Sequence, residues 1–136
     1  MGSVAGVEVD HEAHDGGSEP ASYTMSLNVW LIVRYLHENF SQPTWLSDAA
    51  LLIGVRPDDL RRRFRREVGM TLREYLLRVR LECAARLLSQ SSHTISEIAS
   101  EVGFTSAGSF SKAFKQLMAC APTTYRARRL ARSEPP

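Results

Sequence analysis

Cysteine and lysine are among the scarcest residue types in this 136-residue chain: it has two cysteines, Cys83 and Cys120, and two lysines, Lys112 and Lys115. The cysteines lie far apart within helical patterns. A disulfide framework or a cysteine-based zinc site is therefore not expected, and a reducing cytoplasm fits. Long apolar runs are also missing, so no segment is expected to span a bilayer and no membrane partner is implied. The first residues lack the charged-then-apolar order of a secretory signal. There is no pairing of a nucleophile with a base, no quartet of metal ligands and no glycine-rich phosphate loop, which points away from an enzyme and from any cofactor or metal. His11 and His14, with Asp10, Glu12 and Asp15 nearby, are better explained as a solvated segment than as a metal site, because such a cluster specifies no geometry. Ser91, Ser92 and His93 are close in sequence, and a polar loop explains them without chemistry.

What is present is globular: 43% of residues are hydrophobic and 24% charged, in a length suited to one compact domain. The formal net charge of +2 conceals an uneven distribution. Residues 1–19 hold Glu8, Asp10, Glu12, Asp15 and Glu19 and no basic side chain. The rest of the chain holds all 17 basic and ten acidic side chains and is +7. Nearly all the basic residues are arginine, whose planar fork suits phosphate and guanine better than lysine does. A basic body suggests an anionic partner, most simply nucleic acid.

The stretch from Thr94 to Lys115 organises the pattern. Thr94 followed by Glu97 is a capping box at a helix start. Ile95, Ile98, Ala99 and Val102 recur at helical spacing, and Gly103 supplies the left-handed residue that ends the helix. Thr105 or Ser106 can cap the next helix, whose apolar stripe is Phe110, Phe114, Leu117 and Met118. Two short helices around a tight turn form a helix-turn-helix, whose second helix enters a DNA major groove. The same pattern occurs earlier. Leu46, Ala49, Ala50, Ile53, Gly54 and Val55 recur 49 positions later as Ile95, Ile98, Ala99, Val102, Gly103 and Phe104. Leu60, Phe64, Val68 and Tyr75 recur 50 positions later as Phe110, Phe114, Met118 and Tyr125.

The expected fold is all-α: seven helices, with two helix-turn-helix units joined by a long linker helix. Residues 1–22 are expected to be a disordered acidic tail or linker remnant, residues 23–131 the domain, and residues 132–136 a disordered tail. Within the domain the first unit covers 44–69, the linker helix 71–89 and the second unit 94–118. The first helix, near 26–39, should pack over other helices with a broad apolar side of Leu27, Trp30, Leu31, Val33, Tyr35, Leu36 and Phe40. The second, near 44–53, should bury Leu46, Ala49, Ala50 and Ile53. Thr71 and Glu74 form a second capping box, opening a helix apolar on two sides. At ~1.5 Å per residue that helix is on the order of 30 Å long, close to the ~34 Å between successive major-groove faces. After Pro122 a short helix carries Tyr125, and the basic tail from Arg126 should fray. Trp30, Trp45 and the phenylalanines are spaced for core packing rather than for stacking on single strands.

Helical geometry selects the DNA-facing residues. With Leu60, Phe64 and Val68 inward, Asp58, Arg62, Arg65 and Arg66 face outward, with Arg61 and Arg63 on the flanks. Arg62, then Arg61, is the best candidate for a bidentate guanine contact, and Arg65 and Arg66 are placed to hold phosphates. Asp58 either accepts from cytosine or stabilises the helix start. Asp59 complements the helix dipole. In the second unit the outward residues are Ala107, Gly108, Ser109, Lys112, Lys115 and Gln116. Ala107 and Gly108 offer no side-chain hydrogen bond, and Lys112 and Lys115 suit phosphates. The first unit should therefore carry more sequence information.

Together these features resemble the AraC/XylS family of bacterial transcription regulators. The resemblance covers roughly Leu27 to Arg129. Its strongest part is Ile98-Ala99, Gly103-Phe104, Phe110, Phe114-Lys115, Pro122 and Tyr125-Arg126, supported by Gly69, Tyr75-Leu76, Arg80-Leu81, Ala84 and Leu87-Leu88. It implies a DNA-binding domain, double-stranded promoter DNA as partner, and transcriptional control, often activation through RNA polymerase; the two reading heads on one linker helix would let the domain act as a monomer by itself. By position, the family's base-contacting sites fall on Asp58, Arg61 and Arg62 and on Ala107, Gly108 and Lys112. Arg80 matches an arginine near the domain interior or the phosphates. Gly108 and Ser109 depart from the family's usual Ser and aromatic, Ala119 from its usual Gly, and Arg56 from its usual Ser or Thr cap. Most members carry a further sensing or dimerising domain, so this chain is either a small stand-alone member or, slightly favoured, the DNA-binding part of a longer protein. From another class, a helical protein-interaction module that keeps the fold without specific DNA reading remains an alternative.

Overall fold

The computed structural model describes residues 26–133. The expectations for residues 1–22 and 134–136 lie outside them. The described residues form seven helices and no strand: α1 (Leu27–Asn39), α2 (Trp45–Ile53), α3 (Pro57–Val68), α4 (Leu72–Gln90), α5 (Ile95–Glu101), α6 (Ala107–Met118) and α7 (Pro122–Ser133). They divide into two compact units. Unit 1 comprises residues 26–39 and 44–75; unit 2 comprises residues 40–43 and 76–133. The long helix α4 begins in the first and continues through the second.

Local rules account for most helix ends. Thr94 Oγ1 accepts from the Glu97 amide at 3.0 Å while Glu97 Oε1 accepts from the Thr94 amide at 2.8 Å, closing the capping box of α5. Thr71 and Glu74 repeat that exchange ahead of α4, both bonds at 3.0 Å. Ser106, rather than Thr105, caps α6 by accepting from the Ser109 amide. Each such exchange satisfies amide hydrogens that the helix itself leaves unpaired.

Unit 1 closes around Val29, Ile32, Val33, Leu36, Trp45, Ala49, Ala50, Leu60 and Phe64. The buried face of α1 is rotated from the expected one: Val29, Ile32, Val33 and Leu36 are interior, whereas Leu27 is 65% exposed. The apolar residues of α1 lie on all sides of the helix, so periodicity alone could not fix its inner face. The interior set obeys the i, i+3, i+4, i+7 rule. In α2, Trp45 takes the core position instead of Leu46, which is half-buried, as is Ile53. The polypeptide entering α1 is tied to the end of α3, where Glu67 Oε1 accepts from the Ser26 amide at 2.7 Å.

Unit 2 packs Leu81, Ala84, Ala85 and Leu88 of α4 against Ile98, Ala99 and Val102 and against Phe110 and Phe114. In α6, Leu117 is 37% exposed, whereas Met118 is half-buried and packs against this core, so of the expected stripe only Leu117 turns outward. The terminal helix α7 is longer than expected and includes residues assigned to a fraying tail. One reason is Arg126. Its Nε donates to the Leu88 carbonyl at 3.0 Å and its Nη2 to the Ser91 carbonyl at 3.2 Å, occupying carbonyls near the end of α4 that have no helical partner.

The internal repeat is visible in matched contacts, each within its own unit. Phe64 packs on Tyr75 with ring centroids 5.5 Å apart, and Phe114 packs on Tyr125 at 5.4 Å. The amide of Val55 donates to Ala50 O at 3.1 Å, and that of Phe104 to Ala99 O at 2.9 Å. Both loops after α3 and α6 turn through positive φ, by Gly69 at 91° and by Ala119 at 67°. Ala119 is the only non-glycine residue in that conformation among those described. A Cβ there costs roughly 1–2 kcal/mol, part of which glycine gives back in unfolded-chain entropy. Ala119→Gly should therefore raise stability by about 1 kcal/mol. A urea midpoint that stays put or falls would show that the Ala119 turn is unstrained.

Candidate nucleic-acid interface

On α3 the burial of Leu60 and Phe64 leaves the opposite side to charge. Asp58, Arg61, Arg62, Arg65 and Arg66 are all exposed, and Arg63 is half-buried on the flank. Pro57 starts the helix with no amide hydrogen to satisfy, and Asp58 and Asp59 stand in its first turn, where negative charge complements the dipole. Arg56 occupies the cap position and makes no side-chain capping bond.

The four exposed arginines of α3 fall into two groups. Arg61 Nη1 donates to Asp58 Oδ1 at 2.7 Å. Arg62 Nη2 is hydrogen-bonded to Asp59 Oδ1, and the other oxygen of Asp59 lies 3.9 Å from Arg56 Nε. These are i, i+3 pairs on an exposed surface, of a kind that adds little to folding stability. Arg65 and Arg66 have no acid one turn back, since positions 62 and 63 are also arginine. Sequence reasoning assigned Asp59 only to the dipole. The signal for its second contact was present in the spacing from Asp59 to Arg62.

On α6, Phe110 and Phe114 are fully buried. Gly108, Ser109, Lys112, Lys115 and Gln116 are exposed, and Ala107 is half-buried. The Ser109 hydroxyl is already engaged, accepting from Ser106 Oγ at 3.1 Å as part of the cap. A Cβ added at Gly108 would meet only Ser106 Oγ, at 4.0 Å, so nothing inside the protein requires glycine there. The ten residues singled out for contact with DNA thus form two sets, one on α3 in unit 1 and one on α6 in unit 2. Arg80 belongs to neither. Its Nε donates to the Phe40 carbonyl at 2.8 Å and its guanidinium lies 6.0 Å from the Phe104 ring centroid. Burial lowers its pKa from the ordinary arginine value.

Among the described residues, no group of three or more His, Cys, Asp or Glu side chains is placed to hold a metal, and no helix is long and apolar enough to cross a membrane. Both cysteines are free, and burial pushes the Cys83 thiol pKa up, away from the reactive thiolate.

Residues 49–128 match the family profile described as a helix-turn-helix domain. A curated relative is the "Uncharacterized HTH-type transcriptional regulator YisR" of Bacillus subtilis, 35% identical over 97 residues, which are 71% of this chain and 34% of YisR. The chain spans about a third of the length of such curated relatives. Among solved structures, the C-terminal domain of AraT, a response regulator from Geobacillus stearothermophilus, aligns with a TM-score of 0.73 and 35% identity, covering 77% of this chain and 88% of that one. The DNA-binding domain of AdpA, a global transcriptional factor solved with a target DNA, aligns with a TM-score of 0.72 and 26% identity, covering 79% and 97%.

Proposed function

The chain belongs to the AraC-type helix-turn-helix family of transcription regulators, and from that premise we propose that it reads double-stranded promoter DNA with α3 and α6, each in its own major groove. The observation that carries the proposal is the two-sided character of α3. Leu60 and Phe64 lock one face into the core, so four exposed arginines must face outward from a rigid element. Arg62 and Arg61 read base edges, and Arg65 and Arg66 hold phosphates. On α6, Lys112 and Lys115 hold phosphates, and Ala107, Gly108 and Ser109 contribute contacts rather than hydrogen-bond discrimination. The role in the cell is regulation of transcription, with activation through RNA polymerase the leading form. The domain acts as a monomer in the cytoplasm and performs no catalysis.

The test is binding by the purified chain to a duplex selected from a random library, against a scrambled duplex of the same composition, over a range of salt. Phosphate contacts give a steep fall of affinity with salt, and base contacts give a preference for the selected duplex. A chain that binds both duplexes equally would instead favour the protein-interaction module. Within this scheme, Lys112→Ala with Lys115→Ala should flatten the salt slope by about 2 units. The preference for the selected duplex should stay within about twofold of the unsubstituted chain, because lysine–phosphate contacts carry no sequence information. A large loss of preference in that double variant would place base reading on α6.

A further inference from the structure

The helix that carries the arginines also carries three acids, and each is accounted for differently. Glu67 is turned to the Ser26 amide. Asp58 pairs with Arg61, and Asp59 is hydrogen-bonded to Arg62 while lying 3.9 Å from Arg56. An acid on a helix that faces DNA is an expense, because phosphates repel it. Stabilising the helix start does not require Asp59 to hold Arg62, since Asp58 is in the same turn.

We propose that Asp59 is a positioning residue for base reading: it holds the Arg62 guanidinium in a fixed direction from the helix and withholds that arginine from phosphates. Both effects act on specificity. A long arginine side chain loses considerable rotamer freedom when it binds, and a partner on its own helix removes part of that freedom beforehand. A carboxylate beside the guanidinium also offsets its attraction for any phosphate, whereas a guanine edge in the groove rewards the correct geometry with two hydrogen bonds. The helix thereby divides its arginines. Those paired with Asp58 and Asp59 are reserved for bases, and Arg65 and Arg66, with no acid one turn back, remain available to the backbone. This is discrimination by weakening the wrong contact as well as by forming the right one. The inference rests on the assignment of Arg62 to a base edge, and the test separates the two.

The experiment is a double-mutant cycle on the full chain with Asp59→Asn, Arg62→Ala and the combination. Affinity is measured for the library-selected duplex and for the scrambled duplex across a salt series. Asp59→Asn should tighten binding to the scrambled duplex and steepen its salt slope by about 1 unit, as one more arginine engages a phosphate. It should also lower the selected-to-scrambled ratio, by roughly 5–10-fold. In the Arg62→Ala background the same change should leave the ratio within about twofold, because there is no guanidinium left to position. A ratio lost in Arg62→Ala but kept in Asp59→Asn overturns the positioning role alone. An equal loss from Asp59→Asn in both backgrounds overturns it too, since Asp59 would then act on the helix rather than on Arg62. A ratio unchanged by Arg62→Ala overturns the base contact and the positioning role with it. Thermal melting of each variant accompanies the binding data, and a change of no more than a few degrees is expected at this exposed site.

Discussion

Arg62→Ala is expected to cut the preference for the selected duplex by about one to two orders of magnitude, the equivalent of roughly 1–3 kcal/mol for a lost bidentate contact. Affinity for a scrambled duplex should fall much less. The asymmetry follows from where the side chain sits. Arg62 lies on the side of α3 opposite Leu60 and Phe64, and its side chain is 68% exposed. Removing it leaves no cavity and no buried unpaired group, so folding should be nearly unaffected. A competition titration read by fluorescence anisotropy checks the point. Equal losses on both duplexes would mean that Arg62 is a phosphate contact and that the specificity lies elsewhere.

The second large effect concerns stability. Gly103→Ala should cost on the order of 3 kcal/mol, well above the roughly 1–2 kcal/mol that a left-handed backbone alone exacts from alanine. Gly103 has φ +102°, and a Cβ there would stand 2.9 Å from Arg80 Cζ, 3.0 Å from Arg80 Nε and 3.0 Å from Ser41 Cα. Arg80 cannot easily yield, because its Nε is hydrogen-bonded to the Phe40 carbonyl, and Ser41 Cα is backbone. Gly54 and Gly69 provide the controls. They have φ +83° and +91°, yet an added Cβ meets nothing within 4 Å at either position. Gly54→Ala and Gly69→Ala should show the backbone cost only. Urea unfolding of the three variants decides the matter, and a Gly103→Ala loss no larger than that of Gly69→Ala would contradict the steric account.

The sequence spoke most clearly where one local rule decides the structure. Thr94 with Glu97, and Thr71 with Glu74, can exchange bonds only at a helix start. The alternation of charge with Leu60 and Phe64 can be satisfied by one helical face only. The repeat relating Phe64 and Tyr75 to Phe114 and Tyr125 was legible as a spacing, and the structure turns it into the same ring contact in each unit.

Legibility failed where a pattern was degenerate. The apolar residues of α1 surround the helix, so its inner face was set by packing that no single segment encodes. The Arg-rich sequence of α7 looked like a frayed tail because the bonds from Arg126 to Leu88 and Ser91 span more than 30 positions. Asp59 suited the helix dipole and the pair with Arg62 equally well, and in the folded chain it makes the pair. The engagement of the Ser109 hydroxyl with Ser106 was likewise hidden, because two adjacent hydroxyl residues, Thr105 and Ser106, could each have served as the cap.

The central claim is that sequence reading is concentrated on the arginines of α3. A base-substitution scan across the selected duplex, run with the unsubstituted chain, with Arg61→Ala and with Arg62→Ala, tests it most directly. The account predicts that the positions most costly to alter for the unsubstituted chain become nearly neutral for Arg62→Ala. Equal or greater losses at positions that neither Arg61→Ala nor Arg62→Ala relieves would contradict it.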